Sequence, residues 1–370
     1  MLGIKYNRSS RLSGLNGLSR LICLAGLSGL SGLNGLNGFP MKQNYYIFNN
    51  GRLKRQENTI FFEKEDGSKA VIPIENTEAL YAFGEIDFNT KLFNYLAQKG
   101  IPVHVFNYYG YYSGSYYPRE YLNSGQLLVK QVNHYTSRQK RIALARAFVE
   151  AASFNILKNL RYYNNRGKPL DEYINAIEAL RLQIEKTDAV EELMGIEGNI
   201  RNTYYKAWPG IIEQEIEFER RVKQPPDNMV NAMISYLNSM VYTTCLGEIY
   251  HTQLNPLISY LHEPGERRFS LSLDLAEIFK PIFSDRTIFT LLNRKQITED
   301  DFMTEVNLCY LNEKGRKTII REYDEKLKTI ITHKKLERQV SYRYLIRLEC
   351  YKLVKHLIGE QEYEGFKIWW

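Results

Sequence analysis

An α+β fold, with a small β-rich N-terminal domain followed by a larger all-α C-terminal domain, is what this chain of 370 residues predicts. Three observations carry that prediction. Short β-branched and aromatic runs, separated by turn residues, fill the stretch from Asn44 to about residue 120. Beyond it, apolar residues recur at three- and four-residue spacing, the period of helices packed on one face. The length also suits two hydrophobic cores better than one.

Residues 1–40 stand outside this plan. They repeat Leu-x-Gly with a period of three but lack the prolines of a collagen-like helix and any signal-peptide apolar core. They are read as a low-complexity leader, either a translated upstream repeat or an extension, with Met41 as the natural start. The β-rich domain then spans 41–120 and the helical domain 121–370. "NYYIF", "NTIFFEK", "KAVIPI" and "ALYAF" read as strands, with "NNG" at 49–51 and "DG" at 66–67 as hairpin turns. "NTKLFNYLAQKG" reads as a helix capped by Asn89 or Thr90 and stopped by Gly100. "IPVHVFN" is a buried strand, and the tyrosines of 108–118 close the domain. Ser137 is placed to cap a long helix, and further helices are expected at 171–186, 188–206, 228–252, 271–280, 313–331 and 336–358. Asp227, after Pro225 and Pro226, is the expected cap of the helix from 228.

Composition excludes several classes of function. Cys23, Cys245, Cys309 and Cys350 are scattered, with no CxxC pair, so a zinc knuckle or a disulfide framework is not indicated and a reducing cytoplasm fits. No apolar run approaches the roughly 18 to 20 residues that cross a bilayer. The net charge of +7 includes +4 from Lys5, Arg8, Arg11 and Arg20 in the leader, so the bulk charge is a weak argument for nucleic acid. Clustering says more. Arg138 and Arg141 crowd the start of a helix, where cations oppose the dipole, which is explained by an external phosphate or by a solvated face. Arg220, Arg221 and Lys223 precede the diproline and offer phosphate contacts, or else form part of a rigid linker. The 28 tyrosines suit wet grooves as well as a β-core.

The candidate chemistry lies in two stretches. In "EELMGIEGNIRNTYYKAW", Leu193, Ile196, Ile200 and Tyr204 form an apolar stripe with Glu197 beside it. Gly195 and Gly198 each cost a helix about 1 kcal/mol against alanine, so a close approach should repay them. That approach is either a tight helix crossing, with Glu197 paired to Arg201, or a ligand. In "LHEPGERRFSLSLDLAEIFKP", His262 enters a loop, and Asp274 and Glu277 lie three apart on the next helix, sharing a face. His262 as a helix cap and the two acids as an exposed edge near Lys280 are the plain alternatives. Together, Glu197, His262 and Glu277 offer two hard oxygens and an imidazole, a set suited to Mn2+ or Mg2+ more than to structural zinc, with Asp274 as a fourth or supporting group.

With "PPDNMVNAMISY", these stretches resemble the CRISPR-associated endonuclease and integrase family of spacer acquisition. The Gly195, Glu197, Gly198, Tyr204, Tyr205 pattern, the diproline helix start and the Leu-His loop before Ser-Leu-x-x-Asp-Leu-x-Glu are its marks, in order, and the resemblance covers residues 41 to about 358. Two departures are Gln253–Pro256, where the family usually has Gly-Leu-Asp-Pro, and Lys280, where arginine is common. The resemblance implies that Glu197, His262 and Glu277 are catalytic metal ligands, with Asp274 close by. It implies insertion of captured double-stranded DNA fragments into CRISPR repeat DNA by 3′-hydroxyl attack. It also implies a homodimer through the N-terminal domains and a heterohexamer with a small ferredoxin-like adaptation protein. The rival readings are a catalytically inactive DNA-binding scaffold and a metal-dependent phosphohydrolase of small molecules.

Overall fold

The computed structural model describes residues 42–119, 122–215, 218, 220–222, 225–266, 268–305 and 308–369; the leader at 1–40 and the candidate Lys223 lie outside them. Contacts divide the chain into two compact units. One runs to Val105 and takes in Ser115–Pro118; the other comprises Phe106–Gly114 and everything from Arg119 onward.

In the first part of the chain, β1 (Gln43–Ile47), β2 (Gly51–Gln56), β3 (Thr59–Lys64), β4 (Lys69–Ile72), β5 (Thr77–Ala82), β6 (Ile86–Asp87), α1 (Thr90–Lys99), β7 (Val103–Phe106) and β8 (Tyr112–Tyr116) follow one another. They form two four-stranded sheets, ordered β1-β5-β7-β8 and β4-β3-β2-β6. Alternating residues point inward, so Leu53, Ile60, Leu80, Leu92 and Leu96 are fully buried in a common core. Asn89 caps α1 by accepting from the Leu92 N–H, and Gly100 ends it in the left-handed conformation at φ 67°.

The two turn signals have different outcomes. "DG" joins the antiparallel pair β3 and β4, with Gly67 at φ 78°. "NNG" does not make a hairpin: β1 pairs in parallel with β5, and β2 pairs with β3 in the other sheet. A glycine turn reverses the chain but does not choose the strand that receives it.

The second unit contains α2 (Gly125–Thr136), α3 (Arg138–Asn164), α4 (Asp171–Ile184), α5 (Val190–Lys206), α6 (Trp208–Ile211), α7 (Met229–Tyr250), α8 (Ser270–Lys280) and α9 (Arg286–Asn293). They are followed by β9 (Phe302–Glu305), β10 (Leu308–Leu311), α10 (Glu313–Lys328), β11 (Ile330–His333), β12 (Arg338–Ser341) and α11 (Tyr342–Ile358). The β-then-helical order holds, but two short hairpins replace the expected all-α composition. One of them takes Ile330 to Ser341 from the ends of the helices expected at 313–331 and 336–358. Ile330, Ile331 and Thr332 favour a strand, and Glu337 turns the chain back at φ 50°.

Two expected caps also differ. Ser137 stands between α2 and α3 but makes no side-chain cap bond to α3. Asn228, not Asp227, caps α7, accepting from the Asn231 N–H at 2.9 Å; Asp227 instead accepts from the Asn231 side chain at 2.7 Å. Asn155 and Asn159 of α3 bind the carbonyls of Ile278 and Pro281 at 3.0 and 2.7 Å and so anchor the end of α8. Buried amides that satisfy carbonyls in this way fix a helix in position. Among the described residues, no helix is long and apolar enough to cross a membrane.

Candidate metal centre

α5 buries Leu193, Ile196, Ile200 and Tyr204 and keeps Gly195 and Gly198 on its exposed side. A Cβ built on either glycine meets nothing within 4 Å, so a tight helix crossing within this chain is not their purpose. Glu197 sits at the edge of this open face, its side chain 21% exposed. The local pairing with Arg201 is present, Nε to Oε1 at 3.1 Å, but Arg201 reaches further. Its Nη2 donates to Glu277 Oε2 at 2.5 Å and to the Glu277 carbonyl at 3.3 Å. That carbonyl is four residues before Pro281, which has no N–H to offer it.

Arg201 thus joins two acids that are 80 residues apart in sequence and that act on each other electrostatically. Burial, and then the charge of Glu277, push the Glu197 carboxyl above its ordinary range. Burial would raise Glu277 as well, but Lys280 and Arg201 outweigh it and hold that carboxyl well below the usual range. The two carboxylates therefore differ in proton affinity while sharing one cation.

Asp274 on α8 is fully buried and serves the loop before it. Its Oδ2 accepts the N–H groups of Tyr260 and Leu261 at 2.7 and 3.0 Å, and Oδ1 accepts that of His262 at 2.9 Å. The same Oδ1 meets His262 Nδ1 at 2.8 Å. Burial lowers the His262 pKa, but this hydrogen bond and the Asp274 charge outweigh it, so the net shift is upward. With Nδ1 committed, Nε2 is the nitrogen left to take a ligand, as in carboxylate–histidine–metal arrangements. Asp274 thus supports the imidazole and has no oxygen to spare as a fourth ligand.

Ser259 donates to the His262 carbonyl at 2.7 Å. Arg141 of α3 donates to the Tyr260 carbonyl at 3.0 Å and to Glu263 at 2.6 Å, and lies 4.6 Å over the ring of Tyr135 of α2. Arg141 is therefore a clamp on the His262 loop rather than an open phosphate contact. Arg221 is similarly engaged, donating to Ser235 at 2.8 Å and to Asn231 at 3.1 Å. It lines a cleft of about 860 Å³ with Tyr109, Tyr111, Pro226 and Tyr310. Arg138 and Arg220 remain exposed.

The donor chemistry fits a hard divalent cation: two interacting carboxylates that already attract positive charge, and an imidazole with its second nitrogen fixed. The arrangement is not closed, however. Among the described residues, no three His, Cys, Asp or Glu side chains form a group that could hold a metal ion. Arg201 and Lys280 engage the acids instead. Arg201 was legible as a local partner of Glu197, but nothing in the spacing showed that it spans to Glu277. Asp285, 1% exposed at the end of a π-helical turn (Pro281–Asp285), was missed. Its only sequence signal is an acid inside the run "PIFSDRTIF". Burial chiefly pushes its carboxyl up to about 7.

This β-rich unit followed by a helical unit is the architecture of Cas1-type proteins. A solved Cas1 protein of Thermotoga maritima superposes with a TM-score of 0.78 at 41% identity, covering 88% of this chain and all of that one. A casposase bound to integration product gives the same score at 18% identity over 87% of this chain and 92% of its own, a likeness of fold alone. The family described as CRISPR associated protein Cas1 matches residues 45–325. A CRISPR-associated endonuclease Cas1 of Fusobacterium nucleatum is 57% identical over 330 residues, covering 89% of this chain and 98% of the relative. Another, of Thermodesulfovibrio yellowstonii, is 53% identical over 328 residues, covering 89% and 100%. The chain belongs to the CRISPR-associated Cas1 family.

Proposed function

We propose that this chain is a metal-dependent DNA endonuclease and integrase that inserts captured fragments into a CRISPR array by 3′-hydroxyl attack on a repeat phosphodiester. The observation that carries the reading is Arg201 holding Glu197 and Glu277 together, with His262 clamped on the loop before α8. The relatives named as Cas1 endonucleases support the reaction class.

Glu197, Glu277 and the Nε2 of His262 would hold Mg2+ or Mn2+, which when bound supplies Lewis-acid stabilisation of charge on a phosphodiester oxygen. Asp274 orients the imidazole by accepting at Nδ1, and Arg141 and Ser259 fix the loop that carries it. The open face at Gly195 and Gly198 lets a DNA strand lie against α5 beside Glu197. Arg138 and Arg220 are exposed for sequence-independent phosphate contacts. The working assembly on this reading is cytoplasmic. It pairs two chains through the β-rich domain of residues 41–120 and joins such pairs to a small ferredoxin-like adaptation protein in a heterohexamer.

A strand-transfer assay tests the reading. It uses the chain with its small partner, labelled fragments bearing 3′-hydroxyls, a plasmid carrying a repeat, and Mn2+ or Mg2+. Joining that needs metal and is lost in Glu197→Ala, His262→Ala and Glu277→Ala, with DNA binding retained, is the expected result. Variants that join like the parent chain would remove the ligand set. Absence of joining with an active partner would favour an inactive scaffold.

A further inference from the structure

Arg201 is already the cation on both acids of the proposed centre. At Glu277, Lys280 engages Oε1 and Arg201 engages Oε2, so each oxygen already carries a cation beside the place a metal would take. A divalent ion on the same carboxylates would be repelled by a guanidinium at that range, so metal entry favours a shift of Arg201 away from them. A buried guanidinium that lets go needs another anion, because an unpaired buried charge is costly.

One is present. Arg201 Nη1 and both Asp285 carboxylate oxygens are buried with no hydrogen bond of ordinary length, the Tyr204 hydroxyl being the neutral group that favours the Asp285 charge. Asp285 Oδ2 lies 3.9 Å from Nη1, too far for a hydrogen bond and close enough for attraction. A buried carboxylate with no cation in hydrogen-bond contact is rare in folded proteins and calls for a reason. An approach of about 1 Å by the guanidinium would bring Nη1 to the roughly 2.8 Å of a charge-assisted hydrogen bond.

We propose that Asp285 receives the Arg201 guanidinium when a divalent cation takes Glu197 and Glu277. Asp285 is then a positioning residue for the metal centre, and Arg201 occupies two places in turn: on the acids without metal and on Asp285 with it. Asp285 is the last residue of the π-helical turn that follows α8. The inference rests on the metal reading above and deepens it.

The test is Mn2+ binding to the full-length chain, followed by electron paramagnetic resonance of the free ion, in the parent, Asp285→Asn, Arg201→Gln and the double variant. Thermal melts identify any variant that does not fold. Asp285→Asn should weaken Mn2+ binding about 10-fold, the scale of a supporting-group loss. Arg201→Gln should bind at least as tightly as the parent, because the competing cation is gone, and it carries the test if Asp285→Asn does not fold. Adding Asp285→Asn to Arg201→Gln should then change nothing. Unchanged affinity in Asp285→Asn, weaker binding by Arg201→Gln, or an equal loss in both backgrounds would overturn the inference while the metal reading stands. A parent chain that takes up no Mn2+ at a site lost in Glu277→Ala would overturn both.

Discussion

Replacing Gly195 and Gly198 by alanine separates folding from function in opposite directions. Both glycines lie inside α5, and neither has the positive φ that would penalise a side chain. An added Cβ meets nothing within 4 Å at either position. Alanine therefore costs no clash and gains the helix propensity that glycine forgoes, about 0.8–1 kcal/mol at each site. The two positions lie one turn apart on the same helix face, so the gains add only approximately, to at most roughly 2 kcal/mol. In a unit of this size, each kcal/mol moves Tm by about 2–4 °C, so the double variant should melt higher, by at most roughly 4–8 °C. Calorimetry on the metal-free chain measures this directly. If the open face admits DNA to Glu197, strand transfer by the same variant should fall even as stability rises. A lower Tm would show that the glycines fill a packing role within the chain. A higher Tm with strand transfer intact would show that the open face has no part in handling DNA.

Three further outcomes follow from the same geometry. Asp274→Asn places an amide donor among three backbone N–H groups and should destabilise the chain by about 2–4 kcal/mol in urea unfolding. It should also return His262 toward its ordinary titration in NMR. Because the folded-state pKa of His262 is raised, its pairing with Asp274 stabilises fully below about pH 6.5 and fades as pH rises through the folded value. Arg141→Ala should reduce strand transfer by loosening the His262 loop, with little change in the salt slope of DNA binding, because its guanidinium is held by Tyr260 and Glu263; Arg138→Ala should do the reverse. Asp285→Asn should stabilise the metal-free chain at pH 8 and hardly affect it at pH 4. The folded carboxyl titrates near 7 and the unfolded one near 3.8, so the penalty of its charge is absent below that window and full above it. A gap of roughly three pH units corresponds to about 4 kcal/mol, read from melts across that range.

Much of the fold was legible because its signals are periodic and local. The stripe of α5, the cap at Asn89 and the stop at Gly100 need only neighbours a turn away. What failed was pairing. "NNG" marks a turn, yet β1 and β2 join different sheets, and the partners of each lie outside the reach of a local signal. The hairpin at Ile330–Ser341 was absorbed into flanking helices because its four-residue strands are too short to break a helical pattern. At the site, Glu197, His262, Asp274 and Glu277 came from motif order, and the structure adds the work of each. Arg201 reaching Glu277, Arg141 closing on Tyr260 and Asp285 facing Arg201 are contacts made across tens of residues. No spacing rule reports them. The charge cluster at Arg138 and Arg141 shows the limit plainly: adjacent cations of one motif, one exposed and one clamped inward.

The most direct test of the metal centre is anomalous diffraction from crystals of the chain grown or soaked in Mn2+. The account predicts one peak about 2.1 Å from carboxylate oxygens of Glu197 and Glu277 and from His262 Nε2, with Arg201 withdrawn from both acids. A peak elsewhere, or none with Arg201 still bridging Glu197 and Glu277, would contradict it.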